Sequence, residues 1–224
     1  MKRTRPIVAI DGPAGAGKST VARSLADALG FVLVDTGALY RCVALAAKQA
    51  GAAYDDGARV GQIAGALVAR GAIRFAADGI WLDGRDVSAD IRTPDVAMGA
   101  STVSAHPDVR AALLDMQRHA GREGGVVLEG RDIGTVVFPE AEVKFFLTAP
   151  AEVRASRRHE ELVAKGDAPS YADTLADVVR RDAQDMGRAV APLKQADDAV
   201  LVDSSSMDAS AVVASMAAAV RERM

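Results

Sequence analysis

Cysteine is almost absent: Cys42 stands alone among 224 residues, so no intramolecular disulfide can form and folding does not rely on an oxidising compartment. Its helical, apolar neighbourhood assigns it to packing. Histidine is nearly as scarce, and His106, His119 and His159 lack the close spacing of metal ligands, so they read as isolated surface residues. Neither sign of charge dominates: 27 Lys and Arg against 30 Asp and Glu leave a formal net charge of −3. That balance excludes a broad basic footprint for nucleic acid or an anionic membrane. Long apolar runs are missing too. The basic start leads into an apolar stretch at Ile7 that Asp11 ends after four residues, too short for a signal peptide. Residues 209–220 are Ser-interrupted and too short to cross a bilayer. With no internal repeat, low-complexity tract or long heptad seam, the expectation is a cytoplasmic monomer.

At 50% hydrophobic and 25% charged residues, the chain can bury one good core with a small appended lobe. Residues 12–19, GPAGAGKS, match G-x-x-x-x-G-K-[ST] between the apolar run 7–10 and a helical pattern over 17–29. Glycines let several backbone N–H groups converge on one point, and the following helix directs its positive end there, so the natural ligand is a polyphosphate. Lys18 would reach the β- and γ-phosphates as a point charge, and the Ser19 hydroxyl would complete the coordination of Mg²⁺.

Short apolar runs at 7–10, 31–34, 126–128, 143–147 and 199–202 end at or beside Asp11, Asp35, Glu129, Thr148 and Asp203. Continuous apolar character marks strands buried on both faces of a parallel sheet. Helical patterns over 17–29, 36–50, 107–121, 151–165, 171–186 and 208–223 lie between most of them, which implies right-handed βαβ crossovers in an α/β fold. Ligands of such sheets gather at the carboxyl ends of the strands, where Asp11, Asp35 and Glu129 stand. Residues 53–105 break the alternation. There a helix is followed by runs at 72–77 and 80–82 and a turn at Asp83-Gly84, which reads as short antiparallel strands in an inserted lobe.

The remaining polar clusters point to a second phosphate. In Asp35-Thr36-Gly37-Ala38-Leu39-Tyr40-Arg41, Thr36 is the expected N-cap, with Tyr40 and Arg41 one turn along; pure capping is the plainer alternative. In Glu129-Gly130-Arg131-Asp132-Ile133-Gly134-Thr135, an Arg beside glycines at a strand end suits a phosphate, with a structural Arg–Asp pair as the rival. Arg154, Arg157 and Arg158 share a helix face by i, i+3, i+4 spacing, and Arg181, Asp185 and Arg188 by i, i+4, i+7. Singly these are solvated faces. Beside a polyphosphate loop they suit phosphoryl transfer, whose transition state spreads charge over equatorial oxygens. The stretch 165–170, KGDAPS, suggests a mobile lid that excludes water.

Taken in order, GPAGAGKST, DTGALYR, IRTPDVAMGAS, EGRDIGTVVFP and RDAQDMGRAVAPL resemble the bacterial cytidylate kinase family of nucleoside monophosphate kinases over essentially the whole chain. The resemblance implies a P-loop NTPase three-layer fold with a five-stranded parallel sheet in one kinase unit. Its core would be about 1–52, 106–153 and 171–224, its monophosphate-binding insert about 53–105 and its helical lid about 154–170. It implies transfer of the γ-phosphoryl group of Mg-ATP to CMP or dCMP. Matched by motif, Gly12, Pro13, Ala14, Gly15, Ala16, Gly17, Lys18, Ser19 and Thr20 would hold ATP. Thr36, Gly37, Tyr40, Arg41, Ser101, Arg110, Arg131, Asp132, Arg181, Asp185 and Arg188 would hold CMP. Arg41 and Arg131 would orient the acceptor phosphate, and Arg158 with Arg188 would stabilise the transferring group beside Lys18. Ser101, Arg110 and Asp132 look like the family's base-reading residues: the cytosine N4 amino group suits a carboxylate, and its N3 and O2 suit Arg110 and Ser101. Uracil would set O4 against that carboxylate. Thr36 stands where many relatives carry Ser, and Glu129 where some carry Asp. In the absence of a Walker B sequence, Asp11, Asp35 and Glu129 all remain open as the carboxylate that orients Mg²⁺. The rival is a P-loop kinase for another small acceptor, such as UMP or shikimate. A GTP switch or nucleotide-dependent binding module is disfavoured, because the chain carries no guanine-reading N-K-x-D sequence.

Overall fold

The opening apolar run becomes the central strand of the sheet. The computed structural model describes residues 3–76, 79–164, 166 and 169–224. In chain order its elements are β1 (Ile7–Asp11), α1 (Lys18–Leu29), β2 (Val32–Asp35), α2 (Thr36–Gln49), α3 (Gly57–Ala69), β3 (Ile73–Ala76), β4 (Gly79–Leu82), β5 (Arg85–Asp86), α4 (Pro94–Val103), α5 (Pro107–Gly121), β6 (Val126–Gly130), β7 (Val143–Thr148), α6 (Ala151–Ala164), α7 (Tyr171–Met186), β8 (Val200–Asp203) and α8 (Ala209–Arg221). A 3₁₀ turn at Asp90–Arg92 and a π-helical turn at Ile133–Val137 complete them.

The five expected strands form one parallel sheet in the order β2-β6-β1-β7-β8. In its register Asp11 lies opposite Gly130 on one side and Phe146 on the other, so the carboxyl ends of the central strands come together. Burial on both faces holds for β1 and β6, every residue of which is buried, and for most of β7, where Phe146 and Thr148 are half-buried. It fails at the edges, where Val32 is 64% and Leu201 56% exposed, because an edge strand lacks a neighbour on one side.

The chain divides into two compact units, one of Met1–Val34 with Gly121–Met224 and the other of Asp35–Ala120. The first is built on the parallel sheet, and its core joins Val8, Ile10, Leu25, Val127, Phe145, Leu147, Val212 and Met216. The second has a core of its own, with Leu39, Val43, Leu67, Ile91, Val103 and Leu113. It takes in α2 and α5 as well as the segment expected as the insert, because the apolar face of α2 packs on α4. Cys42 is fully buried in that face, and burial pushes its thiol up to about 12, as a packing residue requires.

Within the second unit β3, β4 and β5 form the expected antiparallel sheet. Asp83 and Gly84 both have positive φ, at 49° and 78°, which gives a two-residue hairpin turn matched to the strand twist. Ala77, the expected end of the first strand run, lies outside the described residues. Helix α4 has no counterpart in the sequence reading; Pro94 in its first turn supplies the missing start signal. His106 and His159 are half-buried rather than exposed, His106 because its Nε2 lies 2.8 Å from the Tyr54 carbonyl oxygen. No helix among the described residues is long and apolar enough to cross a membrane.

Candidate active site

The loop between β1 and α1 is shaped by its glycines. Gly12 has φ 151°, and a Cβ there would lie 2.0 Å from the Leu147 carbonyl oxygen, so only glycine lets β1 turn this close to β7. Gly17 caps α1 in the left-handed region, and the first turn of that helix carries no acidic residue. Its positive end is therefore open to an anion. Lys18 is buried and its Nζ donates to the Pro13 carbonyl at 2.7 Å. Burial, and then the Arg131 charge, hold its ammonium well below the ordinary lysine range, against the opposing pull of Glu129, Asp185 and Asp11. Ser19 Oγ donates to Glu129 Oε2 at 2.9 Å. Of the three strand-end carboxylates left open by the sequence, Glu129 is the one that meets the loop's hydroxyl.

Asp11, at the end of β1, is the anchor for the segment after β6. Its Oδ1 accepts from Ile133 N and its Oδ2 from Gly134 N, both at 2.8 Å, which ties down the start of the π-helical turn. Burial pushes the carboxyl up to about 6, against the downward pull of the two N–H groups. Asp132, the residue before that turn, is buried, and its carbonyl accepts from Val136 and Val137.

Arg131 pairs with Asp185 rather than with its neighbour Asp132: Nε to Oδ2 is 2.7 Å. The other oxygen of Asp185 accepts from Arg188. Burial pushes the Asp185 carboxyl up, but Arg131, Arg188 and Arg181 together hold it below the usual range. The i, i+4, i+7 stripe does not produce this cluster, because α7 stops at Met186 and Arg188 lies beyond it. The chain turns back instead, with Leu193 N donating to the Asp185 carbonyl at 2.8 Å.

The other arginine trio disperses. Arg154 is buried and reaches the Ala149 and Ala14 carbonyls and Asp182. Arg157 donates to the Ser204 carbonyl at 2.6 Å and to its hydroxyl at 3.1 Å. Arg158 pairs with Glu161 at 3.2 Å near the surface. Lys165, Asp167 and Ala168 of the expected lid segment lie outside the described residues.

Within the second unit Asp35, not Thr36, caps α2. Asp35 has extended backbone and its Oδ1 accepts from Ala38 N at 3.1 Å, while Thr36 is the first helical residue and is buried. Gly37 follows in that first turn, where a Cβ would lie 3.2 Å from Asp35 Oδ1. Arg41 lies half-buried one turn further on. Tyr40 of α2, Ser101 of α4 and Arg110 of α5 are all buried and are drawn together. The Arg110 guanidinium lies 5.5 Å from the Tyr40 ring centroid and donates to the Ser104 carbonyl at 3.2 Å, while Ser104 Oγ donates to the Ser101 carbonyl at 2.8 Å. The sequence reading missed the roles of Asp11 as a double acceptor and of Asp182 as the partner of Arg154. Asp182 had a signal, since it directly follows Arg180 and Arg181 and lies three residues before Asp185 on the same helix.

Solved structures share the fold at low identity. An uncharacterized protein from Eubacterium ventriosum superposes with a TM-score of 0.54 at 13% identity, covering 98% of this chain and 99% of that one. A gluconokinase from Sinorhizobium meliloti gives 0.51 at 14%, covering 99% and 94%. Sequence relatives are much nearer. A cytidylate kinase of Geobacter sp. strain M21 is 53% identical over 222 residues, covering 97% of this chain and 94% of that protein. One from Mycobacterium leprae is 49% identical, covering 97% and 96%. The cytidylate kinase family model matches residues 8–222. With the phosphate loop, the Glu129–Ser19 bond and the Asp185 arginine cluster all lying inside that match, the chain belongs to the cytidylate kinase family.

Proposed function

We propose that the protein transfers the γ-phosphoryl group of ATP to CMP or dCMP, giving ADP and CDP or dCDP. One observation supports this beyond family membership: Ser19 of the phosphate loop is bonded to Glu129, two residues before Arg131, and burial, then the Arg131 charge, weaken the hold of Lys18 on its proton. Two cations held near each other at a helix N-terminus repel, and phosphate groups bound to them turn that repulsion into attraction. The phosphate loop, residues 12–20, is the donor site. Arg41 and Arg131 orient the acceptor phosphate, with Thr36, Gly37, Tyr40, Arg181 and Asp185 as its companions. Arg158 and Arg188 act with Lys18 on the transferring group.

A nucleoside monophosphate is already largely ionised at neutral pH, so its attacking oxygen needs no general base. Catalysis then consists of positioning and charge neutralisation. The residues fit Mg²⁺. Ser19 and Glu129 form a hydroxyl–carboxylate pair, and no cluster of three or more His, Cys, Asp or Glu among the described residues competes with it. Such a pair suits a cation that keeps its water and takes phosphate oxygens as its other ligands. Ser19 would hold the ion directly and Glu129 through water; bound there, Mg²⁺ supplies charge neutralisation of the β- and γ-phosphates. Ser101, Arg110 and Asp132 read the base. The reading extends to a monomer acting on small molecules in the cytoplasm, in keeping with a net charge of −3.

The test is ADP formation from Mg-ATP with CMP, dCMP, UMP, AMP, GMP and shikimate offered separately. CMP and dCMP should turn over fastest, with UMP weaker by about 100-fold in kcat/KM. Equal turnover of UMP would overturn the roles of Asp132, Arg110 and Ser101, and turnover of shikimate alone would overturn the reaction.

A further inference from the structure

Arg154 is a buried cation that the reaction as described does not use. Four hydrogen bonds hold it: Nε to the Ala149 carbonyl at 2.8 Å, Nη1 to the Ala14 carbonyl at 2.9 Å, and Nη1 and Nη2 to the two oxygens of Asp182 at 3.1 and 2.6 Å. A guanidinium has five N–H donors, so little of this one is left for a phosphate. The pair is enclosed, with side-chain exposures of 6% and 17%. Independently, a Cβ on Gly15 would come within 3.2 Å of the Arg154 Cβ, so α6 lies directly against the turn of the phosphate loop.

The partner's place in α7 gives the arrangement its meaning. Asp182 and Asp185 are three residues apart, on one face of the helix and about 4.5 Å along its axis. Asp182 is tied through Arg154 to the Ala14 carbonyl in the phosphate loop, and Asp185 holds Arg131 and Arg188. We propose that Arg154 and Asp182 are positioning residues that buckle α7 to the phosphate loop, fixing where Asp185 presents Arg131 and Arg188. The phosphate cradle and the arginine cluster thereby share one rigid path. A buried ion pair is a costly way to hold two helices together, since apolar residues do that as well or better. Its bidentate geometry specifies direction and register, which apolar contact does not.

This inference rests on the kinase reading for its activity readout, so the experiment carries a second readout that does not. Asp182→Asn keeps the shape of the side chain and removes its charge, and it is the first variant because Arg154→Ala risks misfolding. In the variant, hydrogen exchange of the α7 amides should rise about tenfold without substrate, while ATP affinity stays within about threefold, because Arg154 still holds the Ala14 and Ala149 carbonyls. The kcat/KM for CMP should fall about 30-fold. Combined with Asp185→Asn, the loss should be no greater than that of the worse single variant, since both act through one path. Arg180→Gln, which breaks an exposed pair with Asp177 on the same helix, should change none of these. Unaltered α7 exchange in Asp182→Asn, or losses that multiply in the double variant, would overturn the buckle. Faster α7 exchange in Asp182→Asn, in a protein whose wild type never phosphorylates CMP, would instead overturn the kinase reading and leave the buckle standing.

Discussion

Replacing Gly12 by alanine tests the claim that the phosphate loop depends on a close approach of two strands. At φ 151° an alanine is strained, and its Cβ would stand 2.0 Å from the Leu147 carbonyl oxygen and 3.0 Å from its carbon. Ordinary contact requires about 3.4 Å, so β7 would have to retreat by about 1 Å or more. It is held on both sides: Asp11 pairs with Phe146 towards β1, and Leu147 pairs with Val202 towards β8. Strain of about 1–2 kcal/mol in the backbone and about 2–3 kcal/mol from overpacking sum to about 3–5 kcal/mol. In a protein of this size that corresponds to a drop of about 10 °C in Tm. Gly17→Ala is the control, since its φ of 85° is strained but a Cβ there meets nothing within 4 Å, and it should cost only about 1 kcal/mol. Urea denaturation of the two variants, with ATP binding measured in parallel, separates the contributions. If Gly12→Ala lost less than about 1 kcal/mol and kept its ATP affinity, the close-approach argument would be wrong.

Because burial pushes Asp11 up to about 6 from an ordinary 3.8, its contribution to stability is full below about pH 4 and is lost as pH rises through 6. The loss amounts to about 3 kcal/mol. Asp11→Asn should flatten that part of the curve, and identical stability–pH profiles for variant and wild type between pH 4 and 7 would contradict the assignment. Asp185→Asn leaves Arg131 and Arg188 without their shared counter-charge and should cost about 3–5 kcal/mol in denaturant unfolding. A cost below about 1 kcal/mol would mean that the cluster is far better solvated than its burial implies. Glu129→Gln should raise the Mg²⁺ concentration needed for half-maximal ADP formation about tenfold; an unmoved Mg²⁺ titration would return the role to Asp11 or Asp35.

The parallel sheet was legible because each strand announces itself locally, as an apolar run ending in a polar residue. The phosphate loop was legible because glycines, lysine and serine are fixed by neighbours a few positions away. Long-range pairings have no such signature. Arg131 and Asp185 are 54 positions apart, and nothing in EGRD says that the adjacent Asp132 is not the partner. Helical spacing misled in a related way: Arg154, Arg157 and Arg158 share a face on paper, yet one is buried against the phosphate loop, one holds the loop after β8 and one faces Glu161. The cap of α2 was misread by one residue because Asp35 and Thr36 are both good capping types, and the extended backbone at the end of β2 decided for Asp35.

The ammonium of Lys18, turned onto the Pro13 carbonyl and weakened as a base by burial and by Arg131, has a consequence for thermochemistry. Nucleotide phosphates brought beside it favour its charged form, so capture of ATP draws a proton from solution where the pH exceeds the depressed pKa of the free protein. The observed heat of binding then depends on the ionisation enthalpy of the buffer. On the alkaline side, affinity for ATP declines well before an ordinary lysine would lose its charge.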